Sequence, residues 1–177
     1  MPPRGARGET SGVGYELFLV AVPAGGDVEE TGEALLVRIL RGHQRTALVA
    51  EAREWAESLS RKLRAAEPDL VAVAAGAESL PGTIELRART GLVVALTDRF
   101  ARFQVPFAHA GEAAATAFHQ LFALLGVAAA ETGWRTYDPQ EGEAVTIDEA
   151  SCESALEVYL SVMDQIRAAG PMGAVAG

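Results

Sequence analysis

Hydrophobic and polar positions recur along this chain with two periods, and the switches between them outline its elements. Residues 15–22 (YELFLVAV) are almost all aromatic, aliphatic or β-branched, which predicts a buried strand ended by the turn Pro23-Ala24-Gly25-Gly26-Asp27. Asp27 suits the N-cap of the following helix, because its carboxylate can accept the unpaired N–H groups of a first turn. Glu29 and Glu30 lie where the helix dipole favours negative charge. That helix carries Val28, Leu35, Leu36, Ile39 and Leu40 on one side and ends near Gly42. A second helix is predicted from about Thr46, with Leu48, Ala52, Trp55, Leu59 and Leu63 at helical spacing and Pro68 closing it. Residues 70–74 read as a short strand or an apolar connector.

From residue 83 the period changes to two. Residues 83–90 set Ile84, Leu86 and Ala88 against Glu85, Arg87 and Arg89, the pattern of a strand with one wet face. Residues 92–97 and 100–105 flank Asp98-Arg99 and predict a hairpin that stops at Pro106, whose missing N–H cannot join a central ladder. A long helix over about 111–130 is apolar on most sides and should be sandwiched, with His119 as a core or interface histidine. Gly133 releases the chain into a short strand, 134–137, stopped by Asp138-Pro139, and residues 144–147 form another extended piece. Asp148 then caps a last helix with the stripe Cys152, Ala155, Leu156, Tyr159, Val162, Met163 and Ile166.

Stripped of additions, this order is β-α-β-β-α-β. The predicted class is α+β, a ferredoxin-like (split βαβ) antiparallel sheet with helices on one face, an extra helix in the N-terminal half and a C-terminal helix. Residues 14–169 make one domain, between tails at 1–13 and 170–177 that lack the apolar content to offset ordering entropy.

Composition narrows the function classes. The chain has 177 residues, 49% of them hydrophobic, and a net charge of -9. One core of this size needs no metal or disulfide staple, and the single cysteine, Cys152, excludes an internal disulfide and any multi-cysteine zinc site. The acidic balance argues against a partner that is nucleic acid, since phosphate binding needs clustered Lys and Arg; Phe100, Arg102, Arg87 and Arg89 give only a faint basic-aromatic hint. The apolar stretch 113–130 is mostly alanine, broken by His119 and Gln120, and reads as a core helix rather than a membrane span. The start lacks an apolar signal run, so the expected location is the cytoplasm, and a single lysine among 15 basic residues suggests a GC-rich bacterial genome.

Two segments could carry chemistry. The first, residues 133–142 (GWRTYDPQEG), gathers Trp134, Arg135, Tyr137, Asp138 and Gln140 where a strand emerges into a loop. There Asp138 can act as a base or metal ligand, Arg135 and Tyr137 can hold an anion, and Gln140 can orient a substrate. The plainer account makes Asp138-Pro139 a turn, packs Trp134 and Tyr137 on the last helix, and leaves Arg135 solvated. The second segment, residues 106–112 (PFAHAGE), sets His109 and Glu112 at the start of the long helix, where an imidazole can carry a proton or simply pack. His43 and His119 fall at no metal-ligand spacing, so neither metal nor cofactor is expected. No phosphate loop, dinucleotide fingerprint or nucleophile elbow occurs, and Cys152 lies on an inward helix stripe.

The opening Tyr-x-Leu strand, the hairpin at Asp98-Arg99, Pro106-Phe107-x-His109-x-Gly111-Glu112 and the string Tyr137-Asp138-Pro139-Gln140 together resemble small uncharacterised bacterial proteins with a Tyr/Phe-Asp-Pro-Gln strand end. The resemblance covers mainly residues 84–142 and the first strand, and it implies no activity. By analogy, some small acidic proteins of this kind resemble immunity or accessory proteins encoded beside toxins and secretion systems. The expected function is therefore a non-enzymatic interaction or accessory domain that forms a homo-oligomer or binds a protein partner. The alternative is a small enzyme or ligand binder with a pocket between segments 106–112 and 133–142.

Overall fold

The computed structural model describes residues 14–40, 50–74, 83–97 and 100–169. The expected tails, and the expectations for Leu48, Asp98 and Arg99, fall outside these residues. In chain order the elements are β1 (Gly14–Val20), α1 (Val28–Leu40), α2 (Ala50–Ala66), β2 (Val71–Val73), β3 (Ile84–Arg87), β4 (Val93–Leu96), β5 (Phe100–Pro106), α3 (Gly111–Thr132), β6 (Arg135–Asp138), β7 (Glu143–Val145) and α4 (Glu149–Ala168). The strands form one seven-stranded antiparallel sheet in the order β2-β3-β4-β5-β1-β6-β7. The fold is α+β, and its sheet is larger than the predicted plan because β2, β3 and β7 extend it at both edges.

Strand β1 is the centre of the molecule and decides what each face carries. Tyr15, Leu17 and Leu19 point to one side, Phe18 and Val20 to the other, and all five are buried. On the first side, Phe103, Val105, Val94 and Leu86 continue the apolar surface, and α2, α3 and α4 close over it with Leu59, Leu63, Phe118, Leu121, Leu125 and Tyr159. On the second side, Phe18, Val20, Phe100 and Tyr137 meet Val28 and Leu35 of α1. The expectation that the helices share one face is thus corrected. Helix α1 crosses the opposite face, because Phe18 and Val20 on the even side of β1 are apolar and need a cover of their own.

Local chemistry sets the element ends as the residues dictate. Asp27 Oδ1 accepts from the N–H groups of Glu29 and Glu30, at 2.8 and 3.0 Å, and starts α1. Asp148 Oδ1 accepts from Ser151 N–H at 2.8 Å and starts α4; that backbone bond, with the Thr146 and Ser151 hydroxyls, holds its carboxyl below the usual range. Gly133, in the left-handed region, ends α3 and donates its N–H to Ala129 O at 2.8 Å.

Two polar expectations change. Beyond α1's reach the second face is charged, yet Glu85 is only 4% exposed, paired with Arg87 at 2.9 Å, so the β3 face expected to be wet is not wet there. His119 is exposed rather than a core histidine, because α3 buries Ala114, Ala117, Phe118, Leu121, Phe122, Leu124, Leu125 and Ala128 and turns its 119–123–130 side outward. Helix α3 is long and apolar enough by composition to cross a bilayer, and its apolar side lies in the main core.

Candidate functional site

Strand β6 carries three of the expected site residues, Arg135, Tyr137 and Asp138, and the pleat divides them. Successive side chains on a strand point to opposite faces, so Arg135 and Tyr137 lie on the α1 side while Asp138 points to the main core. Tyr137 is buried opposite Phe18 and lies under α1 at Gly32, where an added Cβ would fall 2.4 Å from Tyr137 Cγ. Its burial, with the charges of Glu33, Asp138 and Glu29, raises its phenol above the ordinary range. Arg135, beside Val20 in the ladder, is exposed. Trp134 packs its ring on Trp55 of α2, with centroids 4.7 Å apart. The expected packing of Trp134 and Tyr137 on the last helix is therefore corrected for both: one meets α2, the other α1.

Asp138 is 3% exposed and fully engaged. Its Oδ2 accepts from the Tyr15 hydroxyl, and its Oδ1 accepts from the N–H groups of Gln140 at 2.7 Å and Glu141 at 3.2 Å. Its carbonyl accepts from Gly142 N–H at 2.8 Å. Gln140 is exposed, yet its Oε1 accepts from Glu16 N–H at 2.9 Å, clamping the β6–β7 turn to the start of β1. Tyr15 is raised far above the usual tyrosine range, first by burial and then by its bond to Asp138. Glu16, beside it, is raised by burial, an effect that Arg102 at 3.5 Å opposes.

The second segment forms a separate cluster. His109 is half-buried, and its backbone N–H donates to Tyr159 Oη at 3.0 Å, while that hydroxyl donates to Pro106 O at 2.8 Å. His109 Nε2 is buried, has no hydrogen-bond partner among the described residues, and lies against Gly91, where a Cβ would approach it to 2.9 Å. Glu112 is exposed in the first turn of α3.

The two clusters are linked through packed side chains. Contact passes from Asp138 to Tyr15, then through Phe118 to Tyr159 and His109, with ring centroids 5.3 and 5.1 Å apart. That line of contact consists largely of aromatic rings. Sequence reasoning missed Tyr15 and Tyr159, which make the polar bonds at the two ends of that line. The available signal was that a buried tyrosine places its hydroxyl on a partner.

Two concavities lie elsewhere. One, about 280 Å³, is bordered by His119, Phe122, Ile147, Asp148, Glu149 and Cys152. Its thiol is raised by burial and by Glu153 and Glu149, which makes it a poor nucleophile. The other, about 580 Å³, runs along α1 where β1 ends. Among the described residues no three His, Cys, Asp or Glu side chains group to hold a metal ion. Comparison with models of known families, with curated proteins and with solved structures finds no match for this chain.

Proposed function

We propose that the protein is a non-enzymatic interaction domain that pairs with a second copy of itself or with another protein. The observation that carries this reading is the sheet's outer strand β2. It reads Val71-Ala72-Val73, has no charge, and leaves Val71 51% exposed. Among the described residues nothing pairs with the outer side of β2, so its outward N–H and C=O groups can join another strand. The opposite edge, β7, carries Glu143, a charge that guards against such pairing. Exposed Val37, Ile147 and Ile166 add apolar surface outside the core.

The same proposal includes a ferredoxin-like core and kinship with the small bacterial accessory proteins described above. What supports the core is the run β6-β1-β5-β4 inside the larger sheet, with α2 and α3 packed on one of its faces. Such a core is used for many purposes, so it does not select an activity. The alternative, a small enzyme or ligand binder with a pocket between 106–112 and 133–142, has Tyr15, Phe118 and Tyr159 packed between its two segments.

Light scattering across a concentration series tests the pairing. The expected mass rises above the 18.6 kDa of one chain toward twice that value, and Val71→Lys returns it to one chain. A single-chain mass at every concentration, or a dimer indifferent to Val71→Lys, would overturn self-association through β2.

A further inference from the structure

The groove of about 580 Å³ beside α1 has the size of a ligand site and is independent of the β2 edge. Its floor is apolar: Val20, at the end of β1, is 1% exposed and Leu35 7%. Ala34, exposed and small, leaves the space above Leu35 open. Its polar groups are separated by sign. Asp27 and Glu30 stand at the N-terminal end of the helix and Arg38 near its other end. Asp27 spends one carboxylate oxygen on the helix cap, and neither Glu30 nor Arg38 enters an ion pair among the described residues. Glu30, Ala34 and Arg38 follow one another at four-residue spacing, so they share one side of the helix. The eight residue steps from Glu30 to Arg38 span roughly 12 Å of helix axis.

We propose that this groove binds an extended peptide segment of a partner with the pattern basic-x-apolar-x-acidic. In an extended chain residues one, three and five face the same side, and they span about 14 Å, close to the distance between the groove's charged ends. The basic side chain lies beside Asp27 and Glu30, the apolar one rests on exposed Ala34 above the buried Val20 and Leu35, and the acidic one meets Arg38. Charge complementarity at both ends and the apolar floor between them select this occupant. A free anion would meet the two carboxylates, and a wholly apolar ligand would leave all three charges unanswered.

An amide NMR titration with the probe acetyl-Lys-Ser-Val-Ser-Glu-amide tests the proposal. Saturable shifts are expected at Val20 and along residues 27–38. Arg38→Glu should weaken binding by about threefold to tenfold, the range for one exposed charge contact reversed, and should favour acetyl-Lys-Ser-Val-Ser-Lys-amide instead. Ala34→Leu, on an exposed helical position, fills the groove and should abolish the shifts with the fold retained by circular dichroism. Absence of saturation, shifts centred elsewhere, or an Arg38→Glu protein with unchanged preference would overturn it. These variants leave the light-scattering mass unaltered if the β2 pairing is separate, so the two proposals fail independently.

Discussion

At the scale of the residue, the pair Tyr15–Asp138 shows how a motif that looks chemical becomes structural. A carboxylate 3% exposed must have its lone pairs answered, and Asp138 has them answered by one hydroxyl and two backbone N–H groups. Tyr15→Phe removes the hydroxyl and leaves Oδ2 without its partner. The expected loss is about 1–3 kcal/mol in urea unfolding, larger than for an exposed tyrosine. The pH dependence follows from the raised phenol. An unfolded tyrosine releases its proton near pH ~10, whereas native Tyr15 keeps it, so above that pH the native state holds more protons and stability falls as pH rises. The contribution is fully present below that range. Tyr15→Phe should therefore show a shallower alkaline loss than the parent, with Tyr137, also raised by burial, retaining part of it. An identical alkaline limb in the two proteins would contradict this account.

At the scale of the element, α1 was legible as a helix and illegible as to place. Asp27, Glu29, Glu30 and the spacing of Val28, Leu35 and Leu36 predict its start and its apolar side from local chemistry alone. Which sheet face it covers depends on Phe18, Val20, Phe100 and Tyr137, brought together from three strands. Gly32 is the residue at which helix and sheet come closest. In an isolated helix Gly32→Ala would gain roughly 1 kcal/mol from propensity. Here the new Cβ lies 2.4–2.6 Å from three atoms of the Tyr137 ring, and a fully buried ring cannot swing away. The clash wins: the variant should lose about 1–3 kcal/mol, with the near-ultraviolet circular dichroism of Tyr137 altered. A stabilised variant would mean that α1 does not press on Tyr137. The two site segments make the same point for function. Trp134 to Asp138 are neighbours in sequence, but on β6 the pleat sends Tyr137 and Asp138 to opposite faces.

At the scale of the whole molecule, the sheet separates a large core from a small one. The main side joins α2, α3 and α4 to the sheet, whereas the α1 side rests, among the described residues, on six buried ones, Phe18, Val20, Val28, Leu35, Phe100 and Tyr137. Fewer buried contacts mean a lower free energy of local opening. Native-state hydrogen exchange should find α1 amides opening at lower free energy than those of α3, β1 and β5. Equal protection across all four would show one cooperative unit. The sequence by itself determined the α+β class, the helix caps at Asp27 and Asp148, the hairpin of β4 and β5, and the positions of most strands, because these depend on periodicity and on groups a few residues apart. Only the tertiary structure decided that α1 crosses the second face, that β2 and β7 widen the sheet, and that His109 and Asp138 belong to separate clusters divided by aromatic rings. Those outcomes depend on pairings between residues some 50 to 120 positions apart, such as Tyr159 with His109 and Tyr15 with Asp138, which no local pattern encodes.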